Sequence, residues 1–254
     1  MTDVIKKKKA EKKRLDILLK ERGIFPSREK AAASIMAGVI LVDGQIADKP
    51  GMSYPEDSEI TVKEDICPYV SRGGLKLEKA MHVWGFDLTG RTCMDIGAST
   101  GGFTDRMLQS GASKVYCVDV GYGQLDWKLR NDPRVVNMER TNIRYVDVDT
   151  IDPIDFISID VSFISLNLVL PVASKLLKNG GQVVALIKPQ FEAGREQVGK
   201  KGIVRDEAVR LEVIENVKGY AVHAGLTPHE VITSPITGAK GNVEFLILLS
   251  KDRD

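Results

Sequence analysis

The period of the apolar positions changes along the chain, and the change divides it in two. Leu15, Leu18 and Leu19 form an i, i+3, i+4 face, and Gly23 is placed to stop that helix. Ala31, Ile35 and Met36 form a second helical face, opened by Ser27 as an N-cap and closed by Gly38. The run 39–42 then reads as a strand, Asp43-Gly44 as a tight turn and Gln45-Ile46 as a returning strand. Lys49-Pro50-Gly51 and Pro55-Glu56-Asp57 are turn chemistry, and Glu59-Ile60-Thr61-Val62 predicts a last strand. Residues 1–62 therefore predict a small α+β domain, with the charged stretch 6–13 as a solvated lead-in. Residues 63–70, with Pro68 and no period, predict a linker.

From Ser71 onward short apolar runs alternate with helical faces. Strands are predicted at 92–96, 114–119, 134–138, 154–160, 181–187, 229–234 and 243–249. Helices are predicted at 75–84, 103–110, 166–178 and 205–224. Unbroken apolar runs such as 156–159 and 183–187 suit strands covered on both faces. Residues 71–254 thus predict an α/β domain with a Rossmann-like, doubly wound, mostly parallel seven-stranded sheet. The last two runs leave no room for a helix between them, so they predict a hairpin and an antiparallel final strand.

Composition adds a compartment and a partner class. No apolar run approaches the roughly 18–20 residues of a membrane span, and the first residues lack the apolar stretch of a signal peptide. The expected location is cytoplasmic. Cys67, Cys93 and Cys117 form no C-x-x-C and fit a reducing compartment; with His82, His223 and His229 scattered, no metal site is expected. The net charge of +1 conceals an excess in residues 1–30, where eight Lys and three Arg face five acids. Such a local basic segment points to a polyanion, against the plainer reading of a solvated terminus.

The candidate chemistry centres on Asp95-Ile96-Gly97-Ala98-Ser99-Thr100-Gly101-Gly102, which joins an apolar strand to a helix. A glycine turn at that junction suits a nucleoside cofactor, and Asp119 ends the next strand about 20 residues on, where nucleotide folds place a carboxylate on ribose. The candidate cofactor residues are Asp95, Gly97, Ser99, Gly101, Gly102 and Asp119, with Asn142 and Ile143 beside the adenine. A strand–helix turn that binds nothing is the plain alternative. The spacing is not the G-x-G-x-x-G of dinucleotide folds, which disfavours a dehydrogenase; it resembles the first motif of S-adenosylmethionine-dependent methyltransferases.

Four further residues stand at strand ends or on the first helix of this domain: Lys76, Asp160, Lys188 and Glu244. Singly each is an ordinary charge where the chain leaves a core. Together, in order and context, they resemble the Lys-Asp-Lys-Glu tetrad of the FtsJ-like ribose 2′-O-methyltransferases. In front of them, Arg14-Leu15-Asp16, Leu18-Leu19, Ser27-Arg28, Ala31 and the run from Ile35 to Gly44 resemble the αL RNA-binding domain of ribosomal small-subunit protein four. On that resemblance Arg14, Arg22, Arg28 and Lys30 are the candidate phosphate contacts. From about 14 to 249 the chain is similar to the TlyA family, bacterial ribosomal RNA methyltransferases historically labelled hemolysins. The sharpest matches are Tyr69-Val70-Ser71-Arg72-Gly73-Gly74-Leu75-Lys76, the glycine turn, Asp160-Val161-Ser162-Phe163 and Lys188-Pro189-Gln190-Phe191-Glu192.

The resemblance implies S-adenosylmethionine as cofactor, ribosomal RNA or a ribosomal subunit as partner, and a ribose 2′-hydroxyl, that of cytidine, as acceptor. It makes Lys188 the base, neutral at the moment of attack, with Lys76, Asp160 and Glu244 arranging it. The polar loop 195–201 would lie near the substrate mouth, as an RNA contact or simply as a solvated loop. Two other readings stay open: a non-catalytic RNA-binding ribosome-assembly factor, which the intact tetrad argues against, and a membrane-lytic hemolysin, for which the sequence offers no segment.

Overall fold

Leu15, Leu19, Ala31, Ile35, Ile40, Val42 and Ala47 close on one another as the core of the first unit. The computed structural model describes residues 11–36, 38–62, 67–238 and 241–253. It divides the chain into two compact units, Met1–Ile66 and Cys67–Asp254.

The first unit runs β1 (Lys12–Arg14), α1 (Leu15–Glu21), α2 (Arg28–Met36), β2 (Ile40–Val42), β3 (Gln45–Ile46), β4 (Ser53–Pro55) and β5 (Ile60–Val62). Ser27 caps α2, its Oγ accepting the Lys30 N–H at 3.2 Å. Asp43 and Gly44 both take positive φ (50° and 78°), the conformation a two-residue hairpin turn requires between β2 and β3. The central strand β2 pairs antiparallel with β3 and β5. One expectation is corrected here. Lys12 and Lys13, read as the end of a solvated lead-in, form β1 together with Arg14 and pair antiparallel with β4, an unforeseen strand, Lys13 opposite Tyr54. These residues have little strand preference of their own; the pairing is imposed from 40 residues away, and Leu15 N–H continues it to the Met52 carbonyl at 2.8 Å. The rest of the lead-in, 6–10, and linker residues 63–66 lie outside the described residues.

The second unit runs α3 (Gly73–Trp84), β6 (Thr92–Ile96), α4 (Gly102–Gln109), β7 (Lys114–Val118), α5 (Trp127–Arg130), β8 (Val135–Met138), β9 (Ile154–Ile159), α6 (Leu170–Leu176), β10 (Leu177–Ile187), α7 (Pro189–Glu192), α8 (Glu207–His223), β11 (Thr227–Thr233) and β12 (Phe245–Ser250). Its seven-stranded sheet has the order β11-β12-β10-β9-β6-β7-β8, with β12 antiparallel to both neighbours. Alternate residues of each strand enter opposite layers. Ile157, Ile159, Val183 and Ala185 pack with Leu170 and Ala173 of α6 and Val213 and Val217 of α8. Phe156, Val184 and Leu186 pack with Leu77 and Ala80 of α3 and Phe103 and Met107 of α4. That two-sided burial is why the strand runs are apolar without a break.

The helix expected at 166–178 is shorter. A single 3-10 turn, Leu166–Leu168, precedes α6. Pro171 sits in the first turn of α6, where its missing N–H costs nothing, but it could not have continued a helix begun at 166. Residues 177–178 already belong to β10, Leu177 pairing with Ile154. Strand order reverses between β6 and β9, which lead to opposite edges of the sheet. The carboxyl ends of those two strands are where a ligand crevice is expected in such sheets.

Candidate active site

At that crevice the chain gathers four charged side chains that are far apart in sequence. Asp160 follows β9 and Lys188 follows β10, two parallel neighbours. Glu244 immediately precedes β12, whose pairing of Phe245 with Ile187 sets 244 level with 188. Lys76 comes from the first turns of α3. The Lys76 ammonium lies 2.9 Å from Glu244 Oε2 and 3.6 Å from Asp160 Oδ2. Lys188 Nζ lies 2.5 Å from the other oxygen of the same carboxylate, Asp160 Oδ1. The result is one chain, Glu244–Lys76–Asp160–Lys188, with two charges of each sign. Balance matters because both lysines are only 8 % exposed and Glu244 2 %; unpaired charges could not be held there. Gln190 Nε2 donates to Glu244 Oε1 at 3.2 Å, and Lys188 Nζ donates to Ser162 Oγ at 2.9 Å.

Beside this chain opens a cleft of about 580 Å³, walled by Lys76, Asp160, Ser162 and Lys188 on one side and by Gly97, Ala98, Ser99, Gly102 and Phe103 on the other. Segments 71–73 and 236–238 complete it. Its volume lies in the range of small-molecule sites. A glycine turn and the start of α4 along one wall are the features that nucleotide folds use to hold a nucleoside. The candidate cofactor residues divide by position. Gly97, Ser99, Gly102 and Asp95 line the cleft. Gly101 is buried on the far side of the turn, where a Cβ would lie 2.2 Å from Leu129 Cδ1. Asp119, Asn142 and Ile143 stand outside the lining.

Several of these residues also hold the turn itself together. Gly97, at φ +87°, is glycine because of the protein: a Cβ there would lie 2.4 Å from the Asp160 carbonyl oxygen, on the neighbouring strand end. Asp95 is buried and holds the turn together. It accepts from Thr104 N–H at 3.0 Å, Thr104 Oγ1 at 2.7 Å and Ser158 Oγ at 3.1 Å. Desolvation pushes its carboxyl up to about 7, against the pull of those hydrogen bonds and with a further push from the Asp160 charge. Asp119 accepts Ser99 N–H at 2.8 Å and Gly121 N–H at 2.7 Å, so it braces the glycine turn, and ribose hydroxyls would have to share it. Asn142 caps a short turn through Arg144 N–H at 3.1 Å, and Ile143 is a core side chain.

Three features were not read from the sequence. Ser162 and Gln190 lie in stretches that carry the family resemblance but were given no role from them, although Ser162 stands two residues beyond Asp160, the strand period that would have marked it. Phe163 is 90 % exposed at φ +64°, a backbone region costly for a non-glycine residue. Its ring meets that of Phe191 at a tilt of 50° with 4.9 Å between centroids, and the Phe191 ring also lies 6.0 Å from the Lys188 ammonium. The loop 195–201 exposes Arg195, Lys200 and Lys201 and does not line the cleft.

In the first unit, the candidate RNA cations are more engaged than expected. Arg14 makes two bonds to Asp16, at 3.0 and 3.1 Å, and Arg28 one at 2.8 Å. Arg22 donates to the Ser58 carbonyl at 2.9 Å and to that of Glu56, tying α1 to the loop before β5. Lys30 is exposed. Arg14 and Arg28 keep about half of their side-chain surface, so their remaining N–H groups still face outward. Chiefly Arg14, and with it Arg28, holds the Asp16 carboxyl at about 2. A depressed carboxyl stabilises the fold above its unfolded value near 4, and that contribution disappears as pH falls toward 2. The methyl resonances of Leu15 and Leu19 should therefore report a unit that weakens from about pH 4 to about pH 2. In Asp16→Asn the same signals should show a less stable unit with no such slope; an unchanged slope would remove Asp16 as its source.

A doubly wound sheet with a glycine turn and a Lys-Asp-Lys-Glu cluster at its switch point defines an FtsJ-like methyltransferase. The family model of that description matches residues 69–251, and the S4 domain model matches 13–60. Among curated relatives, TlyA of Mycobacterium tuberculosis, named a 16S/23S rRNA (cytidine-2′-O)-methyltransferase, is 42% identical over 247 residues, covering 96% of this chain and 92% of that one. YqxC of Bacillus subtilis is 52% identical over 243 residues, covering 94% and 86%, and Hemolysin A of Brachyspira hyodysenteriae is 43% identical over 235 residues, covering 92% and 98%. A solved Streptococcus thermophilus structure carrying a hemolysin name superposes with a TM-score of 0.75 at 50% identity, over 96% of this chain and 91% of that one. The chain belongs to the FtsJ-like methyltransferases and, within them, to the TlyA family.

Proposed function

We propose that this chain transfers a methyl group from S-adenosylmethionine to a ribose 2′-hydroxyl of ribosomal RNA, that of a cytidine, and that it does so in the cytoplasm. The observation that carries the reading is the ion-pair chain from Glu244 to Lys188 at the edge of a nucleoside-sized cleft. When bound, S-adenosylmethionine supplies a methyl group on a positively charged sulfur. The rest falls to the protein. A 2′-hydroxyl is a weak nucleophile and must lose its proton as it attacks, and Lys188 is the group placed to take it. Asp160 anchors Lys188 and, through Lys76, is tied to Glu244, which keeps the amine from drifting. In-line attack needs alignment above all, so a rigid array of buried, mutually bonded charges suits the chemistry.

The exposed Phe163 ring, set against half-buried Phe191 close to Lys188, suits an unstacked base, since every base offers a face to an aromatic ring. Phe163→Ala should raise the KM for RNA by roughly tenfold to a hundredfold, the worth of one stacked base. S-adenosylmethionine binding by calorimetry should stay as in the wild type, and an unchanged KM would take Phe163 out of RNA contact.

The hemolysin name carried by some relatives is a historical label. Among the described residues no helix is long and apolar enough to cross a membrane. The test is transfer from radiolabelled S-adenosylmethionine to separated ribosomal subunits and to naked ribosomal RNA. Label in RNA is the expected result. Absence of label from every substrate, together with absent cofactor binding, would leave a non-catalytic RNA-binding protein.

A further inference from the structure

We propose that Ser162 is a positioning residue that fixes the direction in which Lys188 presents its lone pair. The inference rests on the methyl-transfer reading above and deepens it. Lys188 Nζ has two oxygen neighbours from one strand end, Asp160 Oδ1 at 2.5 Å and Ser162 Oγ at 2.9 Å. A charged lysine has three N–H donors; the neutral amine has two and a lone pair. When both donors of the neutral amine are taken by Asp160 and Ser162, the lone pair must occupy the remaining direction. All three side chains line the cleft, so a substrate held there is the partner left for that lone pair. With Asp160 alone, the lone pair could turn into the place Ser162 fills and miss the substrate.

The sequence produces this arrangement through strand register. The last registered pair of β9 and β10 is Ile159 with Ala185, and three residues further along each chain stand Ser162 and Lys188. Asp160 and Ser162 are two apart, so an extended chain sets them on one side, while Val161 between them packs against the core. At Phe163 the positive φ turns the chain away, which makes Ser162 the last residue on that line.

In the step this serves, the 2′-oxygen forms its bond to the methyl carbon as the carbon–sulfur bond breaks, its electron pair remaining on sulfur. The 2′-hydroxyl proton passes to the Lys188 lone pair, giving an ammonium that keeps its bonds to Asp160 and Ser162 and later returns the proton to water. No other reactant is needed.

The test compares Ser162→Ala and Ser162→Thr in the full chain. Ser162 is exposed, so neither change removes a core side chain. Ser162→Ala should lower kcat roughly tenfold to a hundredfold, the cost of a misaimed reacting group, with KM for RNA and for S-adenosylmethionine little changed. Ser162→Thr keeps the hydroxyl and should keep most of the rate. A second readout needs neither RNA nor cofactor: the titration of the Lys188 amine, followed by NMR on lysine-labelled protein and assigned with Lys188→Ala. Losing an acceptor that favours the charged form should move that titration to lower pH in Ser162→Ala and leave it in place in Ser162→Thr. The charged groups that share the cleft with the amine, Asp160 beside it, Lys76 on α3, Arg72 before α3 and Asp95 on β6, and Glu244 paired with Lys76, are the same in all three proteins. A wild-type rate and an unmoved titration in Ser162→Ala would overturn the proposal. A wild-type protein that methylates no RNA would instead overturn the functional reading, and the titration would still decide for or against Ser162.

Discussion

Lys188→Ala is expected to lower kcat by about a hundredfold to ten-thousandfold, the contribution usual for a positioned general base, while RNA and S-adenosylmethionine still bind. The reasoning rests on which partners remain. Removing the amine leaves Asp160 with Lys76 at 3.6 Å, so the carboxylate is not stranded and the buried array keeps a counter-charge. The loss should therefore be catalytic more than structural, and the thermal transition should stay close to that of the wild type. Lys188→Arg separates two roles of the residue. A guanidinium restores the charge beside Asp160 but cannot act as a base at neutral pH, so it should be as slow as the alanine variant. An active arginine variant would mean that Lys188 serves by its charge and that another group takes the proton. Single-turnover methyl transfer together with calorimetric binding distinguishes these outcomes.

Gly97→Ala should damage the enzyme nearly as severely from a position that carries no chemistry. A Cβ at residue 97 would lie 2.4 Å from the Asp160 carbonyl oxygen and 3.2 Å from the Val161 nitrogen, main-chain atoms that no rotamer change can move aside. The backbone is also held at φ +87°, where a residue other than glycine is strained. The ends of β6 and β9 would have to part, and Asp160, which anchors both lysines, would move with them. A loss of about 1–3 kcal/mol in stability is expected from the forced overpacking. A shift of about 1 Å in the reacting groups adds about a hundredfold loss in kcat. Trp84 and Trp127 both lie in this unit, so tryptophan fluorescence during heating follows its unfolding. A Gly97→Ala enzyme with wild-type kcat and melting would show that the two strand ends are not closely coupled.

How much of this could be read from the chain depends on how local each cause is. The inner strands were legible because two-sided burial writes itself as continuous apolar runs, the edge strands β8 and β11 through shorter apolar pairs, and the hairpin of β11 and β12 because too few residues separate them for a helix. The tetrad was legible through its motifs. By contrast β1 is made of Lys12, Lys13 and Arg14 and exists only because β4 lies beside it, which nothing local announces. The four-residue helices α5 and α7 are too short to show a period. Ser162 matters because of the register between β9 and β10, a long-range fact. The glycine turn was legible as a strand–helix junction, but the packing that requires its glycines was not. Gly97 and Gly101 answer to Asp160 and Leu129 inside the protein, and Asp119 to two backbone N–H groups, so the motif first records how the turn packs. The same lesson holds for Arg14 and Arg28, whose charge was read as free for RNA and is partly used on Asp16.

The most direct test of the account is nucleoside analysis by mass spectrometry of ribosomal RNA methylated by the purified wild-type protein with isotopically labelled S-adenosylmethionine. The account predicts label in one nucleoside, cytidine carrying its methyl group on the ribose 2′-oxygen. Label on a base, or on a ribose in RNA treated with Lys188→Ala to the same extent, would contradict it.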